Sequence, residues 1–370
     1  MVEPLPITAR VPTELSVDPD TAPAVLAQLV GEAEGEGASD LHLQVTSAGA
    51  ELALRLDGVL VPWRSVPGEL GRRLLGRVKY LAKLQTYQEA LPQDGRIDRA
   101  DLGARCEIRV ATYPTVTGEK AVLRLFRDTE PPTLSGSGHE PEVLSALMQF
   151  LQQPSGLLLL TGPAGSGKTT TIYACLEHLR SLGGRHVITI EDPVEQILPG
   201  IMQTEVDEPR GLTFAAATRH LLRQDPQVLV LGEIRDEETA GLAVRAALTG
   251  HLVLSTLHAG SCRGVLERLL VMVPDTFAVA ASLGLVLNQR LVRHTCGDCG
   301  GSGCSRCVQT GFRGRIPLVE WFSLDDSVRT ALRQRNVTTL EPRRPLSAVA
   351  ESLVQRGITT AAECQRVLGI

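Results

Sequence analysis

Between Gly162 and Thr170 the chain reads GPAGSGKTT: Gly162, Pro163, Ala164, Gly165, Ser166, Gly167, Lys168, Thr169 and Thr170. The run fits G-x-x-x-x-G-K-[ST]. Such glycines let a loop turn tightly enough to aim backbone N–H groups at an anion, and a following helix adds its positive end. Lys168 is expected to reach the β and γ phosphates of ATP, and Thr169 to hold Mg²⁺ through its hydroxyl. The flanks agree, since a leucine strand enters the loop and TTIYACLEHL leaves it with helical spacing.

Three more segments end apolar runs with titratable groups. VITIEDPVE carries Glu191, Asp192 and Glu195. VLVLGEIRDEETA runs into Glu233, a carboxylate able to orient or deprotonate water for attack on a γ phosphate. TGHLVLSTLHAG holds His251 and His258, either able as a neutral imidazole to bond a phosphate or a catalytic acid. Alone, each would be an ordinary loop acid or structural histidine; beside a phosphate loop they gain a role. Cys296, Cys299, Cys304 and Cys307 form C-x2-C-x4-C-x2-C, two close pairs able to surround Zn²⁺ as a structural site. Four reduced, metal-free cysteines are the alternative. Cys106, Cys175, Cys262 and Cys364 are scattered, as buried small apolar residues are.

These groups need elements to position them. At 370 residues the chain is too long for one ordinary domain. Residues 1–21 read as a tail. Residues 22–128 read as a small α/β domain with a helix at 22–37, a hairpin turn at Asp57-Gly58 and further strands to AVLRLF. Residues 129–141 lie in a Pro/Gly/Ser-rich linker. In 142–370, LLLLT, HVITIED, VLVLGEI and HLVLST are buried-strand candidates separated by helices, the layout of an open parallel sheet. Residues 265–294 read as helical, and 316–363 as a strand followed by short helices. The cysteine segment is assigned to this larger domain. Aromatics are only 3%, so the cores must be mainly Leu, Val, Ala and Ile.

The four segments of the larger domain together resemble the ATPases of type II secretion and type IV pilus assembly, P-loop motors of RecA/AAA-like fold. Their Walker A, aspartate, Walker B and histidine boxes match GPAGSGKTT, ITIEDPVE, LRQDPQVLVLGEIRDEETA and ALTGHLVLSTLHA. ASDLHLQ, LALRLDGVL, LPQDGRI and IRVATYPTVTGEKAVLRLF are similar to the family's small N-terminal domain, expected to be PAS-like. The resemblance implies that arginines of that domain complete the nucleotide pocket, with Arg96, Arg109 and Arg124 at the matching positions and Arg127 a weaker choice. It implies Glu233, Lys168, Glu191 and His258 as catalytic, a homohexameric ring, and work on a polytopic inner-membrane platform protein. The family's tetracysteine site supports zinc, although its spacer is usually longer than the four residues here. Gly260 stands where the family usually has Asn.

The net charge of −5 argues against a nucleic-acid partner, although a DNA-translocating motor or a non-catalytic ATP-binding scaffold remains open. No apolar run approaches a membrane span and MVEPLPITAR lacks signal-peptide features, so a cytoplasmic protein is expected, bound at the inner membrane through partners.

Overall fold

The structure, a computed structural model, describes residues 13–14, 21–47, 49–126 and 133–369. The chain divides into two compact units. The smaller comprises residues 1–129 with 295–314, and the larger 130–294 with 315–370.

The smaller unit is a seven-stranded sheet: β1 (Thr13–Glu14), β2 (Asp40–Val45), β3 (Gly49–Leu56), β4 (Val59–Pro67), β5 (Gln93–Ile97), β6 (Glu107–Thr115) and β7 (Gly118–Phe126), ordered β1-β4-β3-β2-β7-β6-β5. Helices α1 (Ala22–Gly35) and α2 (Gly68–Leu81) pack on it, with a short α3 (Arg99–Leu102). Alternation decides the faces. Leu41, Leu43, Ile108, Val110, Leu123 and Leu125 join the core with helical stripes such as Leu26, Leu29, Val30 and Ala33. The residues between them, Asp40, His42, Arg109 and Arg124, belong to the other face. Asp57 and Gly58 both take positive φ, 48° and 84°, at the β3–β4 turn expected from sequence.

The cysteine segment groups with this smaller unit, not with the larger one to which its place in the chain had assigned it. Val308 enters the small unit's core, and the Gly314 N–H donates to Asp57 Oδ2 at 2.8 Å. Contiguity along the chain is not contact in space, and here packing prevails.

The larger unit holds β8 (Gly156–Thr161), β9 (Val187–Glu191), β10 (Met202–Glu205), β11 (Val228–Ile234), β12 (Leu252–Leu257), β13 (Leu283–Thr295) and β14 (Phe312–Ser323). Their order is β10-β9-β11-β12-β8-β13-β14, parallel from β10 through β13. Helices α4 (Pro141–Leu151), α5 (Lys168–Leu182), α6 (Phe214–Leu221), α7 (Glu237–Leu248), α8 (Cys262–Met272) and α9 (Thr276–Ser282) connect the strands; α10 (Asp326–Arg333), α11 (Leu346–Gln355) and α12 (Ala361–Leu368) follow. Leu157 through Leu160 are all fully buried, because a central parallel strand is covered on both faces.

Two expectations change here. Helical reading of 265–294 fails after Ser282, where LGLVLNQRLV forms β13 beside β8. A strand buried on both faces shows no alternation, so its apolar run cannot be told from a buried helix by period. The linker is also only partly a connector. Residues 127–132, Arg127 among them, lie outside the described residues. Residues 133–140 pack on the larger unit, with Leu134 and His139 buried. No helix among the described residues is long and apolar enough to cross a membrane.

Candidate functional site

In open parallel sheets, ligands bind at the carboxyl ends of the strands. At the ends of β8, β9, β11 and β12 the structure opens a pocket of about 240 Å³, lined by Lys168, Thr169, Glu191, Asp192, Glu195, Glu233 and His258 among others. Ala164 and Gly165 form its loop wall. All three glycines of the loop between β8 and α5 take positive φ, Gly165 at 73°. Gly162 has φ 145° and Gly167 φ 84°, and a Cβ at either would collide with Gln289 of β13. Thr170, by contrast, faces solvent.

Lys168 Nζ lies within the loop, donating to the carbonyls of Gly162 (2.8 Å) and Pro163 (3.0 Å). Burial pulls the Lys168 ammonium below its usual pKa; Glu233 opposes this and Arg290 adds to it.

Glu233, at the end of β11, has Oε1 3.2 Å from His258 Nε2 and 3.4 Å from Arg235 Nε. Arg235 also reaches Asp192 Oδ2 at 3.1 Å. The guanidinium thus separates two carboxylates that would repel each other. Its own pKa is raised, first by the hydrogen bond with Glu233. Glu191 is buried and its carboxylate is occupied: Tyr173 O–H donates to Oε2 (2.5 Å), and Thr189 O–H (2.6 Å) and Gln203 (3.1 Å) donate to Oε1. Burial, together with Glu191, pushes the Tyr173 phenol well above its ordinary pKa. Glu191 therefore stands as a wall of the pocket fixed by three donors, whereas Glu233 is partly open and paired with the more exposed His258 and Arg235.

His251 is not brought to this site. It precedes β12, at the opposite end of the strand from His258, about 20 Å away for six extended residues. Its Nδ1 bonds the Ala246 carbonyl (2.9 Å), and its own carbonyl accepts from Gly156 N–H. At Gly260 the carbonyl accepts from Arg290 (3.0 Å), and nothing lies within 4 Å of where a Cβ would stand, so asparagine would fit there.

Sequence reasoning missed Arg235 and Tyr173 as pocket residues, though both were legible. Arg235 is two residues from Glu233 on an extended segment, and Tyr173 is one helical turn beyond Thr169.

The smaller unit contributes a separate feature. Strand register sets Arg55, Asp40, Arg124, Arg109 and Arg96 side by side in one row across β3, β2, β7, β6 and β5. Asp40 accepts from Arg124 (2.9 Å) and Arg55 (3.3 Å), and Glu107 pairs with Arg96 at 3.2 Å. Arg109 stacks on Phe126, and its Nε has no hydrogen-bond partner among the described residues. Like charges directly opposite each other weaken a sheet, and Asp40 and Glu107 offset this for Arg124 and Arg96. His42 lies on the same face one row over, largely buried, with neither ring nitrogen bonded among the described residues. Burial, then Lys120 and Arg55, hold its pKa below the usual value.

The four clustered cysteines place their sulfurs within 4.8 Å of one another. Cys296–Cys304 and Cys299–Cys307 are 3.9 Å apart, and Cys304–Cys307 3.7 Å. Four sulfurs at about 2.3 Å from a tetrahedral zinc stand about 3.8 Å apart. The N–H groups of Gly303, Cys304 and Gly311 donate to these sulfurs, as suits thiolates. The four-residue spacer closes without opening the cluster, so the set is compatible with a metal.

Comparison with known proteins follows the same lines. The family model described as Type II/IV secretion system protein matches residues 17–366. The type II secretion system protein HxcR of Pseudomonas aeruginosa is 39% identical over 96% of this chain and 79% of its own length. The type IV pilus assembly ATPase PilB of Thermus thermophilus is 37% identical over 87% of this chain, which spans 39% of that longer protein. Among solved structures, the Legionella pneumophila ATPase DotB aligns with TM-score 0.71 at 22% identity, covering 96% and 98% of the two chains. The pilus retraction motor PilT, solved with ADP, aligns at 0.63 and 26% identity over 92% and 96%.

Proposed function

The chain belongs to the Type II/IV secretion system protein family, and on that premise we propose that it is an ATP-hydrolysing motor, working as a homohexameric ring on an inner-membrane platform protein of a secretion or pilus system. The observation that carries this is the gathering of Lys168, Thr169, Glu233 and His258 into one pocket at the sheet's carboxyl edge. Relatives named for secretion and pilus assembly support the setting.

Lys168 exchanges its loop carbonyls for the β and γ phosphates of ATP. Thr169 offers its hydroxyl to Mg²⁺, which would neutralise phosphate charge. Glu233 orients the attacking water and takes its proton, while His258 and Arg235 fix the carboxylate. Asp192 and Glu195 border the same space. The Arg124–Arg109–Arg96 row supplies guanidinium groups to the phosphates from the smaller unit.

The test is Mg²⁺-dependent phosphate release by the purified chain, with its mass in solution. Turnover by a sixfold assembly, unchanged by added DNA, is expected. An assembled protein that binds ATP without turnover would leave only the scaffold reading; strong stimulation by DNA would replace secretion with translocation.

The cysteine cluster is proposed to hold one structural Zn²⁺ through Cys296, Cys299, Cys304 and Cys307. Elemental analysis should find about one zinc per chain, and Cys299→Ser with Cys304→Ser should abolish it and lower the melting temperature by about 5 °C or more. Less than about 0.2 zinc per wild-type chain defeats the assignment.

A further inference from the structure

We infer that Gln289 is a positioning residue for the phosphate loop, and that His139 makes this loop answer to the segment joining the two units. The inference rests on the nucleotide reading of the loop.

Gln289, on β13 just past the pairing of Asn288 with Thr161, is 1% exposed. Its side-chain NH₂ donates to the Ser166 carbonyl at 2.7 Å. Its amide oxygen accepts from Thr171 O–H at 2.9 Å and lies 3.1 Å from His139 Nε2. A flipped amide would set oxygen against oxygen at Ser166, so the NH₂ faces the loop and the His139 ring proton belongs on Nε2.

The consequence for the loop follows from peptide geometry. In a trans peptide the carbonyl and the next N–H point in opposite directions. Drawing the Ser166 carbonyl toward β13 therefore turns the Gly167 N–H away from β13, the direction in which a cradled phosphate lies. Gly167 also packs against the same amide: its Cβ, if it had one, would be 2.8 Å from Gln289 Nε2. One side chain thus sets the orientation of a peptide that must present its N–H to an anion.

His139 ties this arrangement to the chain that arrives from the smaller unit. It is 7% exposed, with Nδ1 2.7 Å from the Ser137 hydroxyl. Its neighbour Glu140 pairs with Arg344 and Arg356. The segment 133–140 is the covalent approach to α4. A shift of that segment draws His139 off Gln289, leaves Thr171 as the amide oxygen's remaining donor, and loosens the hold on Ser166. Phosphate affinity becomes sensitive to linker position without any linker residue touching nucleotide.

The experiment measures the Kd of Mg²⁺ with a fluorescent N-methylanthraniloyl ATP, together with KM and kcat for phosphate release. Gln289→Glu is nearly isosteric but cannot donate to Ser166. It should weaken binding about tenfold, and His139→Phe about threefold, with kcat at saturation within about twofold of wild type. The double variant should be no weaker than Gln289→Glu alone, because His139 acts through Gln289. Should the carboxylate prevent folding, Gln289→Met removes the donor without adding charge and should show the same loss. Unchanged affinity in the folded Gln289 variants, or singles that multiply to about thirtyfold in the double, overturns the inference. A wild-type protein without affinity for the probe would sink the nucleotide reading and this inference together; wild-type binding with unaffected variants sinks this one alone.

Discussion

Replacing Glu233 with Gln should lower steady-state phosphate release at least about a hundredfold while leaving the Kd for Mg·ATP within about threefold. The two effects separate because of what surrounds the side chain. Gln keeps the size of Glu, so the pocket wall is unchanged, but it cannot take a proton from water. Arg235 loses one carboxylate and keeps Asp192 at 3.1 Å, so no buried cation is stranded. Lys168 and the loop N–H groups, proposed to hold phosphate, are untouched. His258, 3.2 Å from the carboxylate in the wild type, keeps an amide group to bond, though no longer a charged one. Equal rates for the variant and the wild type would remove Glu233 from its role.

Neutralising Arg109 and Arg124 together, as Arg→Gln, is the other large effect expected. Hydrolysis should fall about a thousandfold, within the range seen when a transition-state arginine is lost. The fold should survive. The change removes two of three like charges stacked across β7, β6 and β5, and Asp40 retains Arg55 at 3.3 Å. A melting temperature near that of wild type, combined with this loss of rate, is a pattern that surface arginines without a ligand would not give. Phosphate release at the wild-type rate in the double variant would mean that the row serves some other anion.

How much of this was legible in the sequence differs by feature, for physical reasons. The phosphate loop is local: GPAGSGKTT contains its own turns, its lysine and its hydroxyl, so nothing distant is needed to see it. The hairpin at Asp57-Gly58 is local in the same way. Arg96, Arg109 and Arg124 were chosen from a resemblance, and their common row appears only once strand register is known, because register is set by pairing across the sheet. Glu191 and Glu233 look alike as strand-end acids; what separates them is Tyr173, Thr189 and Gln203 closing on one of the two. His251 and His258 bracket one strand, and a parallel strand has a ligand end and a far end. Gln289 was hidden for a deeper reason. It lies in a stretch that reads as a helix, and its partners are 118 to 150 residues away in the chain.

The grouping of residues 295–314 with the smaller unit has a mechanical consequence. The polypeptide passes between the units three times, near 129, 294 and 314. A hinge made of one strand of chain can twist freely, whereas one made of three permits only those rotations that every strand tolerates at once. Proteolytic nicking at 127–132 should accordingly leave the halves covalently joined, and any stroke of the proposed motor is confined by this wiring.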